Sequence, residues 1–224
     1  MTMPPPRFIA EANVVNESSS TITVNKPAST AEGDTMVAFI YCSNSGHTVL
    51  TPPSGWVQEQ DITPSLDSSN RKCYAYTKVA GAAEGASYDW VMNGTGSTTN
   101  PQLASVLTYR PANIVQVDNS AGAVINGSGE TSHIMPTITP NSRDTMYVAA
   151  WCLNRGGSNQ VQDPGSVTGM TQRTFIRGSA SSGHDCGLSI YDEVLQAATA
   201  TDTRTLTTTN SGGSAGLQVI LDKA

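Results

Sequence analysis

The segment Asp34-Thr35-Met36 followed by VAFIYC returns as Asp144-Thr145-Met146 followed by YVAAWC. This echo constrains the fold more than any other feature of the 224-residue chain. The match is collinear beyond that segment. Gly55-Trp56-Val57-Gln58 aligns with Gly169-Met170-Thr171-Gln172, and Cys42 and Cys73 fall on Cys152 and Cys186. Each copy closes on an apolar stretch, ASVLTYRPA in the first and GLQVILDKA in the second. The offset drifts only from 110 to 114 residues, a loop-sized change. A duplicated unit explains such a series, so the architecture must be buildable twice over.

The unit itself reads as β-structure. Stretches rich in β-branched and aromatic residues lie between turn residues. In the first copy they are 21–24, 36–42, 56–61, 73–80, 88–92 and 103–110. In the second they are 134–138, 146–153, 170–176, 186–194, 203–209 and 217–221, with a further candidate at 114–117. Composition removes the helical alternative. The chain holds 27 Thr, 25 Ser, 20 Gly and 12 Pro, residues that are weak or hostile in helix interiors. The expected fold is all-β, with duplicated, mostly antiparallel sandwich or jelly-roll-like halves. Residues 1–20 read as a Pro-rich arm and lead-in, 21–112 as the first unit, 113–130 as a linker and 131–224 as the second unit. Each half can be a complete sandwich, or the two can interleave around one core. Strand pairing between halves leaves no local signature, so both arrangements stay open.

Charge narrows the partners. There are 12 Lys and Arg against 18 Asp and Glu, a formal charge of −6, with no basic cluster. A phosphate backbone needs the opposite pattern, so nucleic acid is not an expected partner. No apolar run approaches the ~20 residues of a membrane span. The opening Met1-Thr2-Met3-Pro4-Pro5-Pro6 lacks the apolar core of a secretory signal, so synthesis in a cytoplasm is expected.

Candidate chemistry is sparse. Cys42 ends one strand and Cys73 opens another, and Cys152 and Cys186 repeat that arrangement. Antiparallel neighbours would bring each pair together as a disulfide, and the competing reading is four buried thiols serving as small core residues. No Cys pair has the spacing of a metal site. His47, His133 and His184 sit in no catalytic motif, and His184-Asp185-Cys186 alternates faces along a strand. Glu59, Asp61, Asp192 and Glu193 are the nearest approach to a glycosidase carboxylate pair, but Asp192 and Glu193 point opposite ways. Asp34 and Asp144 read as turn residues rather than calcium ligands. The sequons at Asn16, Asn93 and Asn126 are expected by chance in so hydroxyl-rich a chain. Trp56, Trp90 and Trp151 read as core plugs, with a ligand-stacking platform as the alternative. No catalytic residue, metal or cofactor is expected.

The runs GDTMVAFI, TPPSGW, CYAYTKVAGAAEGASYDW and LTYRPA, with SRDTMYVAAWC, GMTQRT and GLSIYDEVLQAATATDTRTLT in the second half, resemble a family of bacteriophage and prophage virion proteins. The resemblance spans nearly the whole chain from Arg7 onward, and the cysteine pairs depart from the family's usual pattern. It implies a β-rich, non-enzymatic accessory protein of the virion, associated with capsid or tail. The expected role is capsid decoration that stabilises the assembled shell. The expected partners are the major capsid protein or other virion proteins and further copies of the chain. Pro4, Pro5, Pro6 and Arg7 form the candidate contact arm, extended because Pro runs favour polyproline II. The alternative is a tail or fibre module that recognises host glycans.

Overall fold

The computed structural model describes residues 4–66, 69–111, 113–117, 126–156, 161–178 and 184–223. Sixteen strands and no helix occur among them. The first copy supplies β1 (Arg7–Asn16), β2 (Thr21–Asn25), β3 (Thr35–Cys42), β4 (Val49–Thr51), β5 (Val57–Ile62), β6 (Ser65–Leu66), β7 (Ser69–Asn70), β8 (Lys72–Val79), β9 (Ser87–Met92) and β10 (Gln102–Arg110). The second supplies β11 (Asn113–Val117), β12 (Asn126–Met135), β13 (Thr145–Gly156), β14 (Thr171–Arg177), β15 (His184–Leu195) and β16 (Arg204–Asp222).

The duplication is visible in the topology. One sheet has the order β1-β10-β3-β8-β5 and the other β11-β16-β13-β15-β14, the same path through corresponding strands. All the pairings are antiparallel. The turn before β5 also recurs before β14. Gly55 and Gly169 take φ of 82° and 83°, and the Trp56 and Met170 amides donate to the carbonyls of Pro53 and Val167.

Burial shows how the halves meet. Val37, Phe39, Tyr41, Leu103 and Leu107 share one core with Val148, Ala150, Leu188, Leu217 and Val219. The inner faces of the two large sheets therefore pack on each other, so each half keeps its own sheets while the two share one core. Each sheet has a second buried face. The small sheet β2-β9-β4 covers the first, closing a core around Ile22, Ile40, Tyr76, Trp90 and Val106. In the second half, Met135, Ile138, Val161, Val167 and Leu206 cover Tyr147, Trp151 and Tyr191. This layering explains the strand sequences. β3 and β13 are unbroken apolar runs because both faces are covered. In β2 and β9 buried and outward positions alternate, since their far face meets water.

The correspondence of the copies is off by one from the sequence match. Tyr41, paired with Leu103 and Cys73, faces the shared core. Its counterpart there is Cys152, paired with Ala215 and Leu188. Cys42 instead faces the outer core, as Leu153 does in the second half. The structural offset in this strand is thus 111, not 110. The left-handed turn position moves accordingly from Gly33 (φ 83°) to Asp144 (φ 60°), Asp being among the few residues that tolerate it. A one-residue slip exchanges the faces of a strand, so the matched cysteines lie on opposite faces of corresponding strands.

Two segment boundaries are corrected. The 1–20 arm contains β1, the ten-residue edge strand of the first large sheet, paired with β10 from Arg7↔Arg110 to Asn16↔Gln102. The 113–130 linker begins in β11 and ends in β12, while 118–125 lie outside the described residues. The stretches 203–209 and 217–221 merge into β16, which pairs with β12 at its start and with β13 at its end. Gly212 lies where β16 crosses from one layer to the other. A Cβ there would stand 2.5 Å from the Asn154 carbonyl oxygen, a backbone atom with little room to move. Gly212→Ala is therefore expected to cost about 1–3 kcal/mol, read as a lowered urea midpoint. An unchanged midpoint would show that the crossover can shift freely.

Candidate functional site

The polar groups capable of chemistry gather in a seam between the halves and in a cleft beside the crossover. In the seam, Asp192 of β15 is buried and receives Arg173 of β14, with Nε to Oδ2 and Nη2 to Oδ1 both at 2.8 Å. The Tyr109 hydroxyl, from the first half, donates to Oδ2 at 3.1 Å. The Arg173 guanidinium lies 4.5 Å over the Phe8 ring, and Asn13 Nδ2 donates to Thr174 Oγ1 at 2.9 Å. These contacts align β1 and β10 with β14 and β15. The carboxylate has its partners already in place, which makes it a clasp rather than an acid or base awaiting substrate.

Burial raises the Asp192 pKa above the usual carboxylate range, against the opposing pull of Arg173 and Tyr109. Burial raises Asp185 likewise, against the Val161 amide and Arg177. A raised folded-state pKa means that the native protein holds the proton more tightly than the unfolded chain. The associated stability is complete below the ordinary carboxyl value and is lost as pH rises through the folded value. Urea midpoints measured from about pH 4 to 7 should show this decline, and Asp192→Asn should flatten it. An unaltered slope in the variant would assign the effect elsewhere.

The cleft is lined by His133, Asn154, Arg155, Thr208 and Asn210, with Gly212 at its wall, and leaves about 20 Å³ for the centres of water-sized molecules. Arg155 Nη1 is buried there with no hydrogen-bond partner among the described residues. His133 Nε2 is 3.1 Å from Thr208 Oγ1, whose hydroxyl donates to the Asn210 carbonyl. A single water needs ~10–15 Å³ on that measure, so the cleft has room for about one water and none for a sugar ring. Among the described residues, no cysteine, aspartate or glutamate lines it, only His133 and the hydroxyls of Thr208, Thr209 and Ser211.

The other sequence candidates are dispersed. Glu59 engages Thr77 and Asp61 engages Lys72, while Glu193 pairs with Arg204 at 2.6 Å. His47 meets the Gln102 amide at 3.1 Å, and burial lowers its pKa. Gln102 also accepts from Asn16 Nδ2 at 2.7 Å, so these residues tie loops to β10. The side chains of His184 and Asn126 lie outside the described residues. Trp56, Trp90 and Trp151 are buried, the first two beside Tyr88 and the third edge-on to Tyr191. The large apolar side chains left exposed among the described residues are aliphatic, such as Leu50, Val57 and Val79.

The four cysteines are free, buried thiols, and neither expected disulfide is present. Cys73 lies opposite Tyr41, so Cys42 and Cys73 leave adjacent strands on opposite faces and enter different cores. Cys152 lies opposite Leu188, and Cys186 lies opposite Asn154. Those two share a face but only as diagonal neighbours, whose ~7–8 Å separation exceeds disulfide reach. At the N-terminus, Pro4, Pro5 and Arg7 are exposed and Pro6 is buried, while Met1–Met3 lie outside the described residues.

Sequence signals could have found part of the clasp. Asp192 was visible as a strand carboxylate, but its partners Tyr109 and Arg173 come from strands far apart in the chain. No protein-family model, curated protein or solved structure matches this chain.

Proposed function

We propose that this chain is a non-enzymatic structural protein of a bacteriophage particle, a decoration protein that sits on the assembled capsid shell. The observation that carries the reading is the exposed Pro4-Pro5 segment running directly into edge strand β1. An extended segment anchored on a rigid sheet edge is suited to lie over a neighbouring subunit. Three further features support it. The motifs that resemble virion proteins lie in strands and corners that build the layers. The polar groups of the seam are spent on holding the halves together. The outward positions of β2 and β9 include Thr23, Asn25, Ser87 and Asp89, which offer a protein partner hydrogen bonds with little charge to desolvate.

Binding only the assembled lattice would stabilise it by mass action. The partners are then the major capsid protein or other virion proteins, with copies of this chain arranged by the shell's symmetry. Quantitative mass spectrometry of purified particles tests the proposal. Decoration requires copy numbers on the order of hundreds, whereas a tail-tip location gives about three to six. The lower count would overturn it in favour of a tail module.

A further inference from the structure

We propose that His47 is an acid-sensitive latch, which pins the turn between β3 and β4 against β10 while neutral and releases it on protonation. The hydrogen bonds around the ring dictate which form the fold accepts. Asn16 Oδ1 accepts from the Ser19 amide at 3.1 Å, and its Nδ2 donates to the Ser19 carbonyl at 2.8 Å. So oriented, Asn16 Nδ2 also donates to Gln102 Oε1 at 2.7 Å. Gln102 Nε2 is then the atom that meets the Gly94 carbonyl at 2.9 Å and His47 Nδ1 at 3.1 Å. An amide nitrogen donates and does not accept. His47 Nδ1 must therefore accept, and the ring is neutral with its proton on Nε2.

Protonation sets a second N–H against that amide. Gln102 is wholly buried, and reversing it would turn its oxygen on the Gly94 carbonyl and its NH2 on that of Asn16. Gly94 blocks the ring on one side, where a Cβ would stand 2.1 Å from His47 Cδ2. The charged ring's remaining course is outward to water, since His47 is only partly buried. Its departure leaves residues 46–48 held to the 93–97 turn by the Asn93 amide on the Thr48 carbonyl at 2.8 Å and by Asn93 Nδ2 on the Gly46 carbonyl at a long 3.4 Å. Gly94 and Gln102, which meet the ring, and Asn16 behind them carry no charge. Titratable groups enter the surroundings through Glu17, next to Asn16, through Arg71, whose Nη1 donates to the Ser43 carbonyl, and through Tyr74, whose hydroxyl accepts from the Val49 amide. Burial, rather than any of these, lowers the His47 pKa. The unfolded chain therefore takes the proton first as pH falls. The stability that His47 adds is present above the ordinary histidine value and lost as pH falls through the folded one. That sense is opposite to the effect of Asp192 and Asp185.

The test is NMR on the full chain, with long-range proton–nitrogen correlations reading the ring and hydrogen exchange reading the Asn93 amide. At neutral pH the His47 proton is expected on Nε2. As pH is lowered through the His47 midpoint, Asn93 protection should fall while the amides of β3 and β10 stay protected. His47→Asn places an amide oxygen where Nδ1 accepts, and that oxygen does not titrate in this range. The variant should keep Asn93 protected throughout. A neutral-pH proton on Nδ1, Asn93 protection that ignores the titration, or an equal loss in His47→Asn would overturn the proposal. Loss across β3 and β10 at the same pH would overturn it too, because the event would then be global unfolding rather than release of a latch.

Discussion

Replacing Phe39 by alanine is expected to destabilise both halves of the protein together, by about 3–5 kcal/mol. Phe39 belongs to the first copy, pairs with Ser105 and Ala75, and is wholly buried in the core shared by the large sheets. Truncation removes apolar contact with its own sheet and with the facing one, and it leaves a cavity between them. The tryptophans report the two sides separately. Trp56 and Trp90 lie in the outer core of the first half and Trp151 in that of the second. In a background with Trp56 and Trp90 changed to Phe, Trp151 fluorescence reads the second half alone. Phe39→Ala should lower the urea midpoint read by Trp151 as much as that read by circular dichroism. A Trp151 transition left in place would mean that the halves unfold independently despite their common core.

The second large effect concerns the ion pair that closes the first copy. Asp34 is almost completely buried; its Oδ1 accepts from Arg110 Nε at 2.5 Å and its Oδ2 from Nη2 at 2.6 Å. Oδ2 also accepts from the Ala31 amide at 2.7 Å, fastening the turn before β3. Arg110 itself is 37% exposed, so Arg110→Ala would leave the buried carboxylate only partly rehydrated, expected to cost about 1–3 kcal/mol. The sequence-matched Asp144 meets Lys223 at 3.1 Å, and both side chains are partly exposed. Water can replace that lysine, so Lys223→Ala should cost under about 1 kcal/mol. Comparable losses at the two sites would show that burial is not what separates them.

These contrasts indicate what the residues disclosed in advance. The β-class was legible because hydroxyl, glycine and proline content excludes long helices, and the short apolar stretches fall into β3, β8, β10, β13 and β15. The corner at Gly55 was legible too, because its counterpart Gly169 takes the same left-handed turn. β1 was not, since its Pro-rich lead-in suggested an arm. Its alternation of Ala10, Ala12 and Val14 with Glu11 and Asn13 is that of a half-exposed edge strand. The cysteine pairs misled for a different reason. Sequence identity aligned Cys42 with Cys152, but Asp144 occupies the turn position of Gly33, and the one-residue slip exchanges the strand's faces.

The clasp at Asp192 was beyond local reading, because Tyr109 and Arg173 meet it only after the halves pack. Strand-forming residues, turn residues and the repeat act over a few positions of chain, which is why they can be read along it. Whether two repeats fold as separate sandwiches or around one core depends on which apolar face each sheet presents to the other. β3 and β13 are apolar on both faces, so their sequences are compatible with either outcome. The face-to-face arrangement around a shared core emerges only when the sheets pack and burial reaches residues more than a hundred positions apart.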